Sequence, residues 1–137
     1  MTKTFRVLLV DDEEIEYKLL TKRFSKLAHS AIDLVYAADI NRAVELLGEG
    51  GFDLLLVDNR LARGEDFRHN VPRLRKTGYV GPIGVISSDL AGAHFDRFED
   101  YGADFRMSKD ELDQRSIQFL LDEYSSRGAP KDLDEDL

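Results

Sequence analysis

The chain has 137 residues, 42% of them hydrophobic, which matches one ordinary domain with enough apolar material to bury a core. Its formal net charge of -8 argues against general nucleic-acid affinity, which depends on Lys and Arg neutralising phosphates, and favours a protein or small-ligand partner. There is no cysteine for disulfide or thiol chemistry, no apolar run of about 18 residues and no apolar leader, so neither a membrane span nor secretion is expected and a cytoplasmic location is.

"FRVLLV", residues 5–10, reads as a buried strand, followed by a helix over residues 13–27 in which Leu19, Leu20, Phe24 and Leu27 recur at helical spacing. "IDLVYAA" is a second strand, after which Asp39 caps a helix carrying Ala43, Val44, Leu46 and Leu47 that the glycines of "GEGG" bring to an end. "FDLLLV" is a third strand, "GPIGVIS" a fourth and "DFRM" a short fifth. Pro72 would remove a hydrogen bond from a helix interior, so the third helix is expected to start near Asn70, with residues 61–69 as a loop before it. A final helix places Ile117, Leu120, Leu121 and Tyr124 at i, i+3, i+4 and i+7, and residues 125–137, rich in Gly, Pro and acids, read as a loosely attached tail. Strands that are apolar throughout and separated by helices imply a parallel sheet covered on both faces, an α/β fold of five βα units.

In such a sheet ligands bind outside the carboxyl ends of the strands, so the residues just after each strand carry the information. These are Asp11 and Asp12 after the first, Asp58 after the third, Ser87 and Ser88 after the fourth, and Lys109 after the fifth. Any one of them alone reads as a helix cap or a solvated side chain; together they converge three carboxylates, a hydroxyl and an ammonium. Clustered carboxylates repel, and without a cation at least one would have its pKa raised. All-oxygen ligation by a few protein groups suits magnesium, which keeps several waters and bridges to phosphate oxygens.

Over roughly residues 4–124 the sequence resembles the receiver domain of two-component response regulators. The resemblance rests on "LLVDDE" with its acidic pair, "FDLLLVDNRL" with Asp58 at the strand end, "PIGVISS" with its hydroxyls, and "GADFRMSKD" with Lys109 seven residues after Gly102. It implies a flavodoxin-like doubly wound sheet of order 2-1-3-4-5, a receiver domain over residues 1–124 and an acidic tail over 125–137. It further implies that Asp58 is a phosphoacceptor, attacking the phosphoryl group of a phosphohistidine donor to give an acyl phosphate. Magnesium would be held by Asp12, Asp58 and the backbone carbonyl of Arg60, with Asp11 acting through a bound water. Lys109 and Ser87, with Ser88 beside it, would bind the phosphoryl oxygens. The implied partners are a histidine kinase or histidine phosphotransfer protein and a downstream protein target, without nucleic acid or membrane, and the implied state is a monomer or weak homodimer. Arg60 and Asp89 stand at the positions that flank the hydrolytic water, and they are expected to pair and lengthen the life of the acyl phosphate.

Some positions depart from the family pattern. Ala62 and Asp110 stand where Pro is common, and Arg106 stands where an aromatic residue usually turns inward on activation. A guanidinium is too costly to bury unpaired, so Arg106 is expected to stay at the surface and contact a partner on the output face. The reading is that of a stand-alone phosphoacceptor switch and not an enzyme beyond its own phosphorylation and dephosphorylation; no effector segment is expected within the 137 residues. The alternative is a phosphorylation-independent, degenerate receiver that acts as an interaction module. An aspartate-nucleophile phosphatase would want a second Asp where Arg60 stands. His29, His69 and His94 lack metal-ligand spacing, and "RHNVPRLRK" reads as a solvated helix face.

Overall fold

The computed structural model describes residues 4–25, 31–61, 65–88 and 93–112, and beyond these residues 115, 116, 119, 120, 122 and 123. In chain order the elements are β1 (Thr4–Val10), α1 (Glu14–Ser25), β2 (Ala31–Ala37), α2 (Ile40–Glu49), β3 (Leu54–Asp58), α3 (Phe67–Arg75), β4 (Ile83–Ser87), a 3-10 segment (Ala93–Tyr101), β5 (Phe105–Ser108) and a 3-10 turn (Lys109–Glu111). The five strands form one sheet in the order β2-β1-β3-β4-β5, with every pairing parallel. The fold class and strand order are those expected.

Alternate residues of the central strands feed two cores, as the two-residue period of a strand dictates. On one side Leu8, Val10, Leu55, Val57, Ile83 and Val85 pack with Ala43, Leu46 and Leu47 of α2 and with Phe67, Val71 and Leu74 of α3. On the other, Val7, Leu9, Leu54, Leu56 and Ile86 pack with Leu20 of α1 and with Leu112. Each fully buried Leu or Ile stabilises by roughly 1.5–3 kcal/mol, so β3 and β4, each buried along its whole length, are firmly held strands at the middle of the sheet. A Cβ on Gly84 would meet the Phe105 ring at 2.2 Å, so the glycine in β4 leaves the room in which that ring lies across the strand.

α2 begins and ends as expected: the Asp39 side chain accepts from the Arg42 N–H, and Gly50, at φ +78°, supplies the left-handed cap. The third helix corrects the sequence reading. It starts at Phe67, not Asn70, so part of the expected 61–69 loop is helical and Pro72 lies inside the helix. Asp66 caps it through the Arg68 N–H at 2.9 Å, Asn59 Oδ1 accepts the Phe67 N–H at 3.2 Å, and Phe67 is fully buried. These caps and this burial outweigh the bond that Pro72 removes. In α1 the buried stripe runs through Leu20, with Tyr17 partly buried, while Leu19 is exposed; Leu27 lies outside the described residues. The fourth connection is a 3-10 segment interrupted at Arg97, whose ψ of 29° is not helical, in place of a regular α-helix. In the last segment the described residues are helical and Leu120 is buried, whereas Ile117, Leu121, Tyr124 and the 125–137 tail fall outside the description.

Candidate functional site

Strand register brings the site together. Val10 of β1 sits beside Val57 of β3, Asp58 beside Ile86 of β4, and Ser87 beside Ser108 of β5. The next residue on each strand therefore emerges at the same edge of the sheet. There a cleft of about 360 Å³ is lined by Asp12, Glu13, Asp58, Arg60, Ser87, Ser88 and Lys109. Asp11 lies fully buried behind it.

The electrostatics centre on Lys109. Its Nζ is 3.2 Å from Asp11 Oδ2, 3.6 Å from Asp58 Oδ1 and 3.8 Å from Glu13 Oε1. Asp11 Oδ1 accepts the Glu13 N–H at 2.9 Å, but the buried Oδ2 has no aligned hydrogen bond, and the ammonium contact is its only compensation among the described residues. Burial pushes the Asp58 carboxyl up to about 7, the Asp11 charge adds to this, and Lys109 and the Arg60 N–H oppose it. Asp11 is raised as well, by burial, against the Glu13 N–H and Lys109. Burial works against the charge of Lys109, yet Asp58 and Asp11 together hold its pKa above the usual value.

Asp11, Asp12 and Glu13 each place one carboxylate oxygen within 4.8 Å of the others. This all-oxygen set, with a buried carboxylate oxygen short of hydrogen bonds, fits a hard divalent cation. Glu13 was not singled out from the sequence, although the third acid of "DDE" was the available signal. Asp58 is not a member of that triad; Lys109 bridges the two.

The turn bearing Lys109 is held by a capping box. Ser108 Oγ accepts the Asp110 N–H at 3.2 Å and Glu111 Oε1 accepts the Ser108 N–H at 2.8 Å, while Arg23 of α1 donates to the Leu112 carbonyl at 2.6 Å. The sequence carries this as "SKDE", a Ser-x-x-Glu spacing that passed unread.

Other expected residues are placed as follows. Arg106 is exposed, with its guanidinium 5.9 Å from the centre of the Phe98 ring on the 3-10 segment. Asp89, expected to pair with Arg60, lies outside the described residues, as does His29. His69 sits on the surface of α3 near Asp66. The arginines of the basic third helix are engaged within the chain: Arg68 with Asp66, Arg73 with Asn41, and Arg75 with the Gly102 carbonyl and Asp104. No helix among the described residues is long and apolar enough to cross a membrane.

No protein-family model and no curated protein matches the sequence. Solved structures do match the fold. The receiver domain of Francisella response regulator 1452 superposes with a TM-score of 0.73 at 20% identity, over 90% of this chain and 98% of that one. The signal receiver domain of the Mycobacterium tuberculosis response regulator NarL gives 0.73 at 21%, over 91% and 99%. A CheY-like receiver domain protein from Methanospirillum hungatei gives 0.71 at 18%, over 92% and 100%. With its five parallel strands in the order 2-1-3-4-5 and structural neighbours of this kind over about nine-tenths of its length, the chain has the fold of response regulator receiver domains.

Proposed function

We propose that the chain is a phosphoacceptor signalling switch that takes up one phosphoryl group on Asp58. The observation that supports this best is the placement of Asp58: a carboxylate on a fully buried strand end, facing a cleft and bridged by Lys109 to a buried second carboxylate. A core that needed only to be stable would not keep this arrangement, because buried like charges repel.

In the proposed reaction an oxygen of ionised Asp58 attacks phosphorus, the bond from phosphorus to the donor nitrogen breaks, and the donor leaves with that electron pair. Lys109, already 3.6 Å from Asp58, would move onto the transferred phosphoryl oxygens and balance their charge. Ser87, at the end of β4, would donate its hydroxyl to one of them, with Ser88 at the cleft wall. Asp12, Asp58 and the Arg60 carbonyl would hold magnesium, with Asp11 behind them acting through water; the bound ion would neutralise developing phosphate charge. The strand ends supply alignment, which is most of what phosphoryl transfer asks of a protein.

The donor would be a histidine kinase or histidine phosphotransfer protein, and the output a protein contact on the face carrying the 3-10 segment and β5. Arg106, already exposed there, would meet carboxylates of the target. The functional unit would be residues 1–124, with 125–137 as an acidic tail. Incubation with acetyl phosphate and magnesium, read by intact mass, tests the proposal: the parent should gain one phosphoryl group and Asp58→Asn none. Equal gain by both proteins would refute it, and a parent that never gains the mass would favour the interaction-module reading.

A further inference from the structure

Asn59 is a buried polar residue immediately after the candidate acceptor. It is 4% exposed. Its backbone N–H donates to the Ile86 carbonyl of β4 at 2.8 Å, and its side-chain Oδ1 accepts the Phe67 N–H, the first amide of α3, at 3.2 Å. The first amides of a helix have no partner within it, and a buried one left unpaired is costly. The Asn59 carboxamide thus closes the start of α3 from across the intervening loop, while the main chain of the same residue is fastened to β4.

Both fastenings meet at Asn59, and the next peptide bears the Arg60 N–H, which donates to the Asp58 carboxylate. We propose that Asn59 is a positioning residue: fastened to β4 through its main chain and to α3 through its side chain, it fixes the start of the peptide bearing the Arg60 N–H, so that the Asp58 carboxylate is held in one orientation facing the cleft. The part of this that concerns phosphoryl uptake rests on the reading of Asp58 as the acceptor; the clamp does not. A hydrocarbon side chain would satisfy a buried position next to a strand end equally well for packing. An asparagine there is explained by the Phe67 N–H, which needs an acceptor at that distance and receives one. Phe67, in turn, is fully buried and meets the Tyr101 ring edge-on at 5.7 Å, so the start of α3 has little freedom to follow the loop if the clamp opens.

Hydrogen exchange of individual amides on the full chain, without metal or phosphodonor, decides the clamp. Asn59→Ala should speed exchange of the Arg60 and Phe67 amides at least tenfold more than it speeds the amides of β1. Asn59→Asp, which keeps an acceptor for the Phe67 N–H at a helix N-terminus, should restore protection of Phe67. Leu74→Ala, which opens a cavity under the same helix, controls for general loosening and should not single out Arg60. Should Asn59→Ala fail to fold, Asn59→Ser, whose hydroxyl is too short to reach, carries the same expectation. In parallel, uptake from saturating acetyl phosphate with magnesium should fall about tenfold in Asn59→Ala, with the half-saturating concentration unchanged, as displaced supporting groups commonly produce. Unchanged Arg60 exchange in Asn59→Ala overturns the clamp whatever the uptake assay shows. Failure of the parent to take up phosphate overturns the acceptor reading and leaves the clamp to be judged by exchange alone.

Discussion

Replacing Asp58 by Asn should make the metal-free protein more stable, not less, and the gain should depend on pH. In the unfolded chain the Asp58 carboxyl gives up its proton near 3.8, whereas in the fold it keeps it until about 7. Between those values rising pH favours the unfolded state, which can ionise freely, so the penalty grows from nothing below the lower value to its full size above the upper one. At about 1.36 kcal/mol per unit, a rise from 3.8 to about 7 bounds the penalty near 4 kcal/mol. Effective dielectric constants near 20 even at buried sites reduce the expected gain to about 2 kcal/mol. For a domain of 137 residues that corresponds to roughly 5–10 °C in melting temperature. Urea and thermal unfolding of parent and Asp58→Asn in chelator, from pH 4 to pH 8, measure it. The gap should open between pH 4 and 7, stay level above, and narrow when millimolar magnesium is added. A variant less stable than the parent at pH 8, or a gap that ignores pH, would refute the electrostatic account of the site.

Lys109→Ala removes the ammonium that faces Asp11, Asp58 and Glu13. It should destabilise the metal-free protein at pH 8 by about 3 kcal/mol, and by less at pH 4, where Asp58 keeps its proton and needs no counter-charge; a loss equal at both pH values would contradict this. Pro72→Ala should stabilise by about 1 kcal/mol, because the new N–H can bond the Arg68 carbonyl inside α3, and chemical denaturation would show the opposite sign if Pro72 were serving the fold. The Arg60→Ala, Asp89→Ala double variant should lose its acyl phosphate faster than the parent, and a rate of mass loss that is equal or slower would remove any pairing across the cleft mouth.

The parts of the molecule that were legible in the sequence are those fixed by local patterns. Apolar strands ending in Asp11, Asp58, Ser87 and Lys109 announce a parallel sheet with its chemistry at one edge, since strand register alone aligns these residues. Asp39 and the "GEGG" glycines mark both ends of α2 because capping is a short-range interaction. The start of α3 is hard to read from sequence for the converse reason. Asp66 is a legible cap in itself, but what fastens the helix there is Asn59, from eight residues earlier, together with burial of Phe67 against the sheet. Spacing alone offers both Leu19 and Leu20 as core, whereas the direction in which α1 meets the sheet buries Leu20 and leaves Leu19 exposed. Glu13 and the Ser108–Glu111 box were both written in the sequence, yet their meaning depends on Lys109 reaching back over the acidic pair, which is a tertiary fact.

The central claim is that Asp58 itself carries the phosphoryl group, and borohydride trapping tests it most directly. An acyl phosphate is reduced by hydride to the alcohol with loss of phosphate, so a phosphorylated aspartate becomes homoserine and is marked in place. After treatment with acetyl phosphate and magnesium, peptide mapping of the trapped protein should find homoserine at position 58 and nowhere else, with none in a control lacking magnesium. Homoserine at position 11 or 12 in place of 58, or no trapped residue at all, would contradict the account.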